Sequence, residues 1–304
     1  MAIYYLNLKT IGRSDGSSAP GAAAYRAGER IRDERRGRIY DHSDRRDVLH
    51  KEIILPSDLA HAELGWARDR ARLWNAAEEA ELRRNARVAR EYLVALPVEL
   101  TPEQRALLAR GFSQELADRY RFAVDVAIHA PRDLPGSDPR NFHAHLLATT
   151  REVTATGFAA KTTLELNDSD RRALGLGPAV NELLHVRERW ASITNEALRA
   201  AHVAARIDHR TLAAQGIDRE PLPRIPPPAY EAERRGFRSA VAERIREDYA
   251  ARVQARLARA AGLREAPSLE DLRRQARERW LEMRRESAAR EQPAPALGDE
   301  GLTR

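Results

Sequence analysis

The chain has 304 residues, enough for two ordinary domains or one large domain with an appendage, and its 42% apolar, 32% charged and 6% aromatic residues suit a soluble protein with long charged helices. With nine histidines and no cysteine, it excludes disulfides, thiolate nucleophiles and Cys-held iron or zinc, leaving His, Asp and Glu as metal ligands; the net charge of +6 permits an anionic partner without requiring one. No apolar run is long enough for a membrane span and no basic-then-apolar leader opens the sequence, so a cytoplasmic location is expected.

In chain order, Ile3 to Leu8 reads as a strand, and the polar Gly12 to Ser18 stretch as a mobile or ligand-facing loop. Pro20-Gly21 then opens a helix through Ala22 to Ala27 that carries Tyr25 near its junction with the loop. Asp33 to Asp47 is crowded with charge and turn formers, with a short hairpin placed around Gly37; a second strand runs from Leu49 to Leu55. Apolar residues at three-to-four-residue spacing predict a long helix from Glu63 to Arg90, followed by a strand from Glu91 to Leu96. Thr101-Pro102-Glu103 caps a helix that reaches Tyr120. Strands follow at Phe122 to His129 and His143 to Thr149, separated by the Pro-rich loop from Ala130 to Asn141, and a helix runs from Asn181 to Arg206.

Five strands interleaved with helices place the chain in the α+β class. Five prolines between Arg219 and Tyr230 mark a linker, and an Arg-, Glu- and Ala-rich helical extension follows, split near Gly262 to Pro267, where Ser268 is positioned to cap the second helix. The resulting division is 1–220 for the chemistry-bearing domain, 221–230 for the linker and 231–304 for the extension. From Glu231 onward, 17 Arg against 14 Asp and Glu give a charge of +3, too small to demand DNA. There is no phosphate-binding GxxxxGK[ST] motif and no internal repeat.

His143 and His145 lie two apart in an apolar strand, so alternation puts both imidazoles on one face and Ala144 on the other. His129 ends the preceding strand, and a hairpin-like return would bring it to the pair, making a three-imidazole site for a divalent metal. The competing reading is three half-buried histidines donating to carbonyls. Glu91 either receives a ring N–H from a ligand histidine, contacts the metal directly, or is an ordinary carboxylate at an element boundary. Glu78 and Glu81 share a helix face and are explained by ion pairs with Arg83 and Arg84. Tyr25 is either an anchor packed on the core or, beside a bound cation and in a chain without cysteine, a nucleophile for a phosphodiester.

Several stretches in order resemble the MobA/MobL family of plasmid mobilisation relaxases, within the histidine–hydrophobe–histidine endonucleases. They are Met1 to Tyr5, Gly12 through Tyr25-Arg26-Ala27-Gly28-Glu29, Trp74-Asn75, Ala89-Arg90-Glu91, Ala95 to Leu100, His143-Ala144-His145 with Arg151, and Ala205 to Leu212 followed by Gln215-Gly216, together covering about residues 1 to 220. The resemblance implies a central antiparallel five-stranded sheet, with helices largely on one face and an open cleft carrying the histidines. It implies that Tyr25 attacks single-stranded DNA at an origin of transfer and is joined to the 5′ phosphate, with a free 3′ hydroxyl left to reverse the step. His129, His143 and His145 carry over as ligands of a divalent ion, Mg²⁺ or Mn²⁺ being expected, and Glu91 as their support. Leu93 stands where some relatives have a second glutamate.

Arg26, Arg151 and Arg210 are DNA-contacting candidates, the last beside Asp208-His209. The implied partners are origin DNA, accessory relaxosome proteins and a coupling protein; nothing in the sequence requires a dimer. Two other readings remain open: a rolling-circle replication initiator using the same chemistry, and a noncatalytic DNA-binding scaffold.

Overall fold

A computed structural model describes residues 2–59, 64–131, 138–261 and 269–291. Contacts divide the chain into two compact units, Met1–His209 and Arg210–Arg304. The first unit contains β1 (Leu6–Gly12), α1 (Ala19–Ala27), β2 (Arg30–Asp33), β3 (Arg38–Asp41), β4 (Val48–Ile54), α2 (Gly65–Arg68), α3 (Arg70–Glu79), β5 (Arg87–Ala95), α4 (Pro102–Tyr120), β6 (Val124–His129), β7 (His143–Ala148), β8 (Arg151–Thr154), β9 (Gly157–Lys161), α5 (Asp168–Ala173) and α6 (Ala179–Ala200). In the second lie α7 (Pro227–Arg234), α8 (Ala240–Ala260) and α9 (Leu269–Glu291). Ser268 lies outside the described residues.

Five strands make one sheet in the order β1-β5-β7-β6-β4, every neighbouring pair antiparallel. Alternation sorts its side chains into two layers. Tyr92 and Val94 of β5, Val124, Val126 and Ile128 of β6, and Ala144 and Leu146 of β7 enter one core with Leu108, Phe112 and Leu116 of α4 and Trp190 of α6. On the opposite face, Ala89 and Leu147 pack with Ala23 and Ala24 of α1 and Leu73, Trp74 and Ala77 of α3. Helices therefore cover both faces rather than chiefly one, because α1 and α3 each carry an apolar stripe that must be buried.

Several boundaries differ from the sequence reading. The helix expected to reach Arg90 ends at Glu79, and Arg87 to Arg90 join β5, where Ala89 pairs with Ile11 and Arg90 with both Thr10 and Ala148; sheet pairing overrides the helical leaning of Ala and Arg. β1 lies later than expected, because that same extension of β5 recruits Lys9 to Gly12. The β8–β9 hairpin was not foreseen; Val153 is its buried anchor. The hairpin expected around Gly37 is β2–β3, with Gly37 at φ 63°, the left-handed region that glycine enters at little cost. α4 begins with a capping box between Thr101 and Gln104.

The Gly12–Ser18 stretch is tied down rather than free. Arg13 is buried and donates from Nε to Glu78 Oε2 at 2.9 Å and from Nη1 to the carbonyls of Glu81 and Arg83 at 2.8 Å each. Glu78 Oε1 accepts the Ala19 N–H at 2.8 Å, and Ser18 caps the same helix start by accepting from Gly21. The partners of Glu78 and Glu81 are thus Arg13 for the first and Arg151 and Lys161 for the second, not Arg83 and Arg84, whose positions in the turn after α3 fall off the helix face. Since Arg13 and Glu78 fix the start of the helix that carries Tyr25, Arg13→Met should leave a buried carboxylate unpaired and lower stability by about 3–5 kcal/mol. Urea denaturation measures this; a loss well below that would show that the pair is dispensable.

Candidate metal centre

The register of the sheet assembles the histidines. His129 is directly opposite His143 across the β6–β7 pair, and Ala127 is opposite His145, so all three imidazoles lie on the same face at the same end. Ring centroids are 4.7 Å apart for His129–His145, 5.2 Å for His143–His145 and 5.3 Å for His129–His143. One ligating atom from each falls within 4.8 Å of the others. Three nitrogens at that separation fit a divalent cation that retains open positions.

Hydrogen bonds to Nδ1 hold two of the rings, and His129 is contacted at both nitrogens. His145 Nδ1 donates to Glu91 Oε1 at 2.6 Å, and His143 Nδ1 to the Asn141 carbonyl at 3.0 Å, which makes Nε2 the lone-pair nitrogen of both rings. His129 is turned the other way: its Nε2 donates to the Arg26 carbonyl at 2.7 Å, and Arg45 Nη2 lies 3.2 Å from its Nδ1. Such outer partners fix the tautomer and orient a ligand histidine. Burial, then the neighbouring His145, pushes His129 down to about 3; burial also lowers His145, although Glu91 opposes it. Both rings are therefore neutral, the form that binds metal, at ordinary pH.

Glu91 is fully buried at the centre of β5. Burial alone would raise its carboxyl, but hydrogen bonds from His145 and from Arg26 Nε outweigh it and keep the group ionised. Lys9 Nζ is 2.8 Å from its second oxygen. Of the roles open to Glu91 from sequence, the geometry displays the acceptor of a histidine N–H.

The C-terminus of α1 connects this cluster to Tyr25. The last carbonyls of a helix lack intrahelical partners. Here Tyr25 O accepts from Arg45 Nη1 at 2.7 Å, Arg26 O from His129, and Ala27 O from Lys51 Nζ at 3.1 Å, while Gly28 closes the helix in the left-handed conformation at φ 60°. The Tyr25 ring is 37% exposed, with the Arg45 guanidinium 4.3 Å from its centroid and His42 edge-on at 5.3 Å.

Arg26, in contrast, is buried beneath the site with Glu91. Arg151 is engaged with Glu81 and the Ala159 carbonyl in the β8–β9 hairpin, away from the histidines, and Arg210 is the first residue of the second unit. The sequence reading missed Arg45, Asp47 and Asn141. Asp47 accepts two hydrogen bonds from Arg45, which hold its carboxyl down at about 2. The only sequence signal for Arg45 and Asp47 was their place in a charge-rich turn shortly after the tyrosine helix.

The MobA/MobL family model matches residues 17–235. The chain belongs to the MobA/MobL family. It is 40% identical over 279 residues to the mobilization protein MobL of Acidithiobacillus ferridurans, covering 86% of this chain and 70% of that protein. It is 34% identical over 260 residues to a probable mobilization protein MobA of Bifidobacterium longum strain NCC 2705, covering 73% of this chain but only 42% of the relative. Among solved structures, one described as the molecular basis of vancomycin resistance transfer in Staphylococcus aureus superposes with a TM-score of 0.55 at 26% identity, covering 69% of this chain and all of the other. This MobA/MobL protein accordingly has the relaxase-like fold and is classed as an enzyme of that kind. Among the described residues, no helix is long and apolar enough to cross a membrane.

Calorimetric titration with Mn²⁺ checks the centre. With His129 neutral throughout and His145 lowered by burial, protons should compete less than at three ordinary imidazoles: the fall of log K with falling pH between about 6.5 and 5.5 should be no steeper than about two. A slope near three would show that all three imidazoles are protonated there.

Proposed function

We propose that this chain is a metal-dependent relaxase that nicks single-stranded DNA at a plasmid origin of transfer, with Tyr25 as nucleophile, and rejoins the strand after mobilisation. The observation that carries this reading is the convergence of three oriented imidazoles beside the helix end that presents a partly exposed tyrosine. Family membership supports it, as does the relatives' description as mobilization proteins.

In this account His129, His143 and His145 hold a divalent ion, with Mg²⁺ or Mn²⁺ the working choice. When bound, it supplies positive charge to polarise a phosphate and stabilise the charge gathering on its oxygens. The protein residues do the rest. Glu91 keeps His145 in the tautomer with a free Nε2 and neutralises Arg26 beneath it. The Tyr25 oxygen attacks phosphorus, the bond to the 3′ oxygen breaks, and a 5′ phosphotyrosine ester forms. The phenol loses one proton and the departing 3′ oxygen gains one. One phosphodiester is exchanged for another, so a returning 3′ hydroxyl can reverse the reaction without an external energy source.

The basic surface would attract the DNA backbone and weaken with salt, while sequence preference needs contacts to bases. Arg26 and Arg151 are already satisfied internally, which favours structural roles for them; Arg210 is kept as a DNA-contact candidate. Accessory relaxosome proteins and a coupling protein are the partners this role calls for, and the 231–304 helices are a candidate surface for them.

The test is a denaturing gel with labelled single-stranded origin DNA and Mn²⁺. The parent chain should give a covalent protein–DNA band and Tyr25→Phe none, while both bind the DNA alike. A band that persists in Tyr25→Phe assigns another nucleophile, and binding without a band across verified origins supports the scaffold reading. Cleavage at a replication origin rather than a transfer origin would assign the chain to replication initiation.

A further inference from the structure

We propose that Arg45, braced by Asp47, is the positioning residue that holds the Tyr25 phenol beside the histidine cluster. This rests on Tyr25 being the nucleophile, and extends that reading to a residue outside the histidine, glutamate and tyrosine set.

Arg45 joins three parts of the site. One guanidinium nitrogen donates to the Tyr25 carbonyl at 2.7 Å, Cζ lies over the Tyr25 ring at 4.3 Å from its centroid, and Nη2 lies 3.2 Å from His129 Nδ1. Two bonds to Asp47, from Nε to Oδ1 at 2.8 Å and from Nη2 to Oδ2, fix the fork. The Ala130 N–H donates to the Asp47 carbonyl at 2.8 Å, so the brace itself is attached to the end of β6 that carries His129. The Arg45 side chain is only 12% exposed.

A tyrosine on the last turn of a helix has two soft side-chain torsions and a carbonyl without an intrahelical partner. Arg45 constrains both at once: it caps the carbonyl and stacks on the ring. A lysine at this position would offer a point charge without the planar fork, and so could not hold the ring, the carbonyl and Asp47 together. Arg45 Nη2 faces the one lone pair of His129 that remains after the bond to Arg26, so His129 takes a cation only when that one contact opens, while the bonds of Arg45 to the Tyr25 carbonyl and to Asp47 Oδ1 are independent of it; removing the arginine therefore takes nothing from the metal-binding capacity of the imidazole.

Three readouts on the full-length chain test this. The first introduces 3-fluorotyrosine at position 25 alone and follows its ¹⁹F signal with and without Mn²⁺. The parent should show a dispersed resonance broadened by the paramagnetic ion, whereas Arg45→Ala should move the signal toward the mobile position and reduce the broadening. The second, Mn²⁺ affinity by calorimetry, should be equal to the parent or tighter. The third, single-turnover adduct formation on an origin oligonucleotide, should slow by about 10²-fold in Arg45→Ala with oligonucleotide affinity changed by less than about threefold, as expected when a reacting group is displaced by an ångström. Arg45→Lys should not restore the rate, and Asp47→Asn should slow it in the same direction.

Identical ¹⁹F behaviour in parent and Arg45→Ala would overturn the proposal. So would a defect confined to oligonucleotide affinity, which would make Arg45 a DNA contact, or a joint loss of Mn²⁺ affinity and folding, which would make it a support of the histidines. If the parent itself forms no Tyr25-dependent adduct, the nucleophile reading fails, and the ¹⁹F comparison still decides whether Arg45 holds the ring.

Discussion

A single buried carboxylate organises the site. Glu91 sits at the middle of the sheet with no exposed surface, and a charge in that position is tolerated only when it is neutralised and hydrogen-bonded. Its partners come from three directions: Arg26 from the helix above, His145 from the neighbouring strand on one side and Lys9 from the strand on the other. Two of these contacts also fix elements of the candidate site. The bond to His145 sets a ligand tautomer, and the pair with Arg26 holds α1 over the sheet at the height of the histidines. Electrostatic necessity in the core and pre-organisation of the metal site are one set of contacts.

The same economy governs the helix end. α1 is short, and its start is fixed by Glu78 and Ser18. At its other end the unpaired carbonyls are satisfied by Arg45, His129 and Lys51, side chains from the segment before β4, from β6 and from β4. Satisfying these carbonyls brings a histidine of the candidate metal cluster and a cation to Tyr25 and the residue after it. The proposed nucleophile at this helix terminus thereby inherits its position from backbone chemistry that the helix needs in any case.

The histidine centre was largely legible in the sequence because strand alternation is a strict rule: an HxH pair in an apolar strand must share a face, and His129 at the end of the preceding strand meets His143 once the two strands pair in register. The sheet itself was legible for the same reason, through apolar runs bounded by turn residues. Failures arose where local propensity and tertiary pairing disagree. Arg87-Val88-Ala89-Arg90 has helical composition but completes β5, because β1 and β7 each offer it a pairing edge. Ion-pair partners were illegible for another reason: Arg13 reaches Glu78 across 65 residues, and Arg151 reaches Glu81 across 70. Arg45 was hidden in a run of charges that reads as solvated surface, and only the return of the chain against α1 shows it lying on the Tyr25 ring.

The central claim is that Glu91 holds the metal site and the tyrosine helix in one arrangement. Its most direct test is the Mn²⁺ dissociation constant of Glu91→Gln against the parent at neutral pH, with the fold of both checked by circular dichroism. The amide can no longer fix His145 as a charged acceptor and leaves Arg26 without its counter-charge, so binding should weaken by about 10–100-fold, the usual effect of losing such an outer partner. An unchanged constant in a folded Glu91→Gln protein would mean that the histidines orient themselves and that Glu91 serves the core alone.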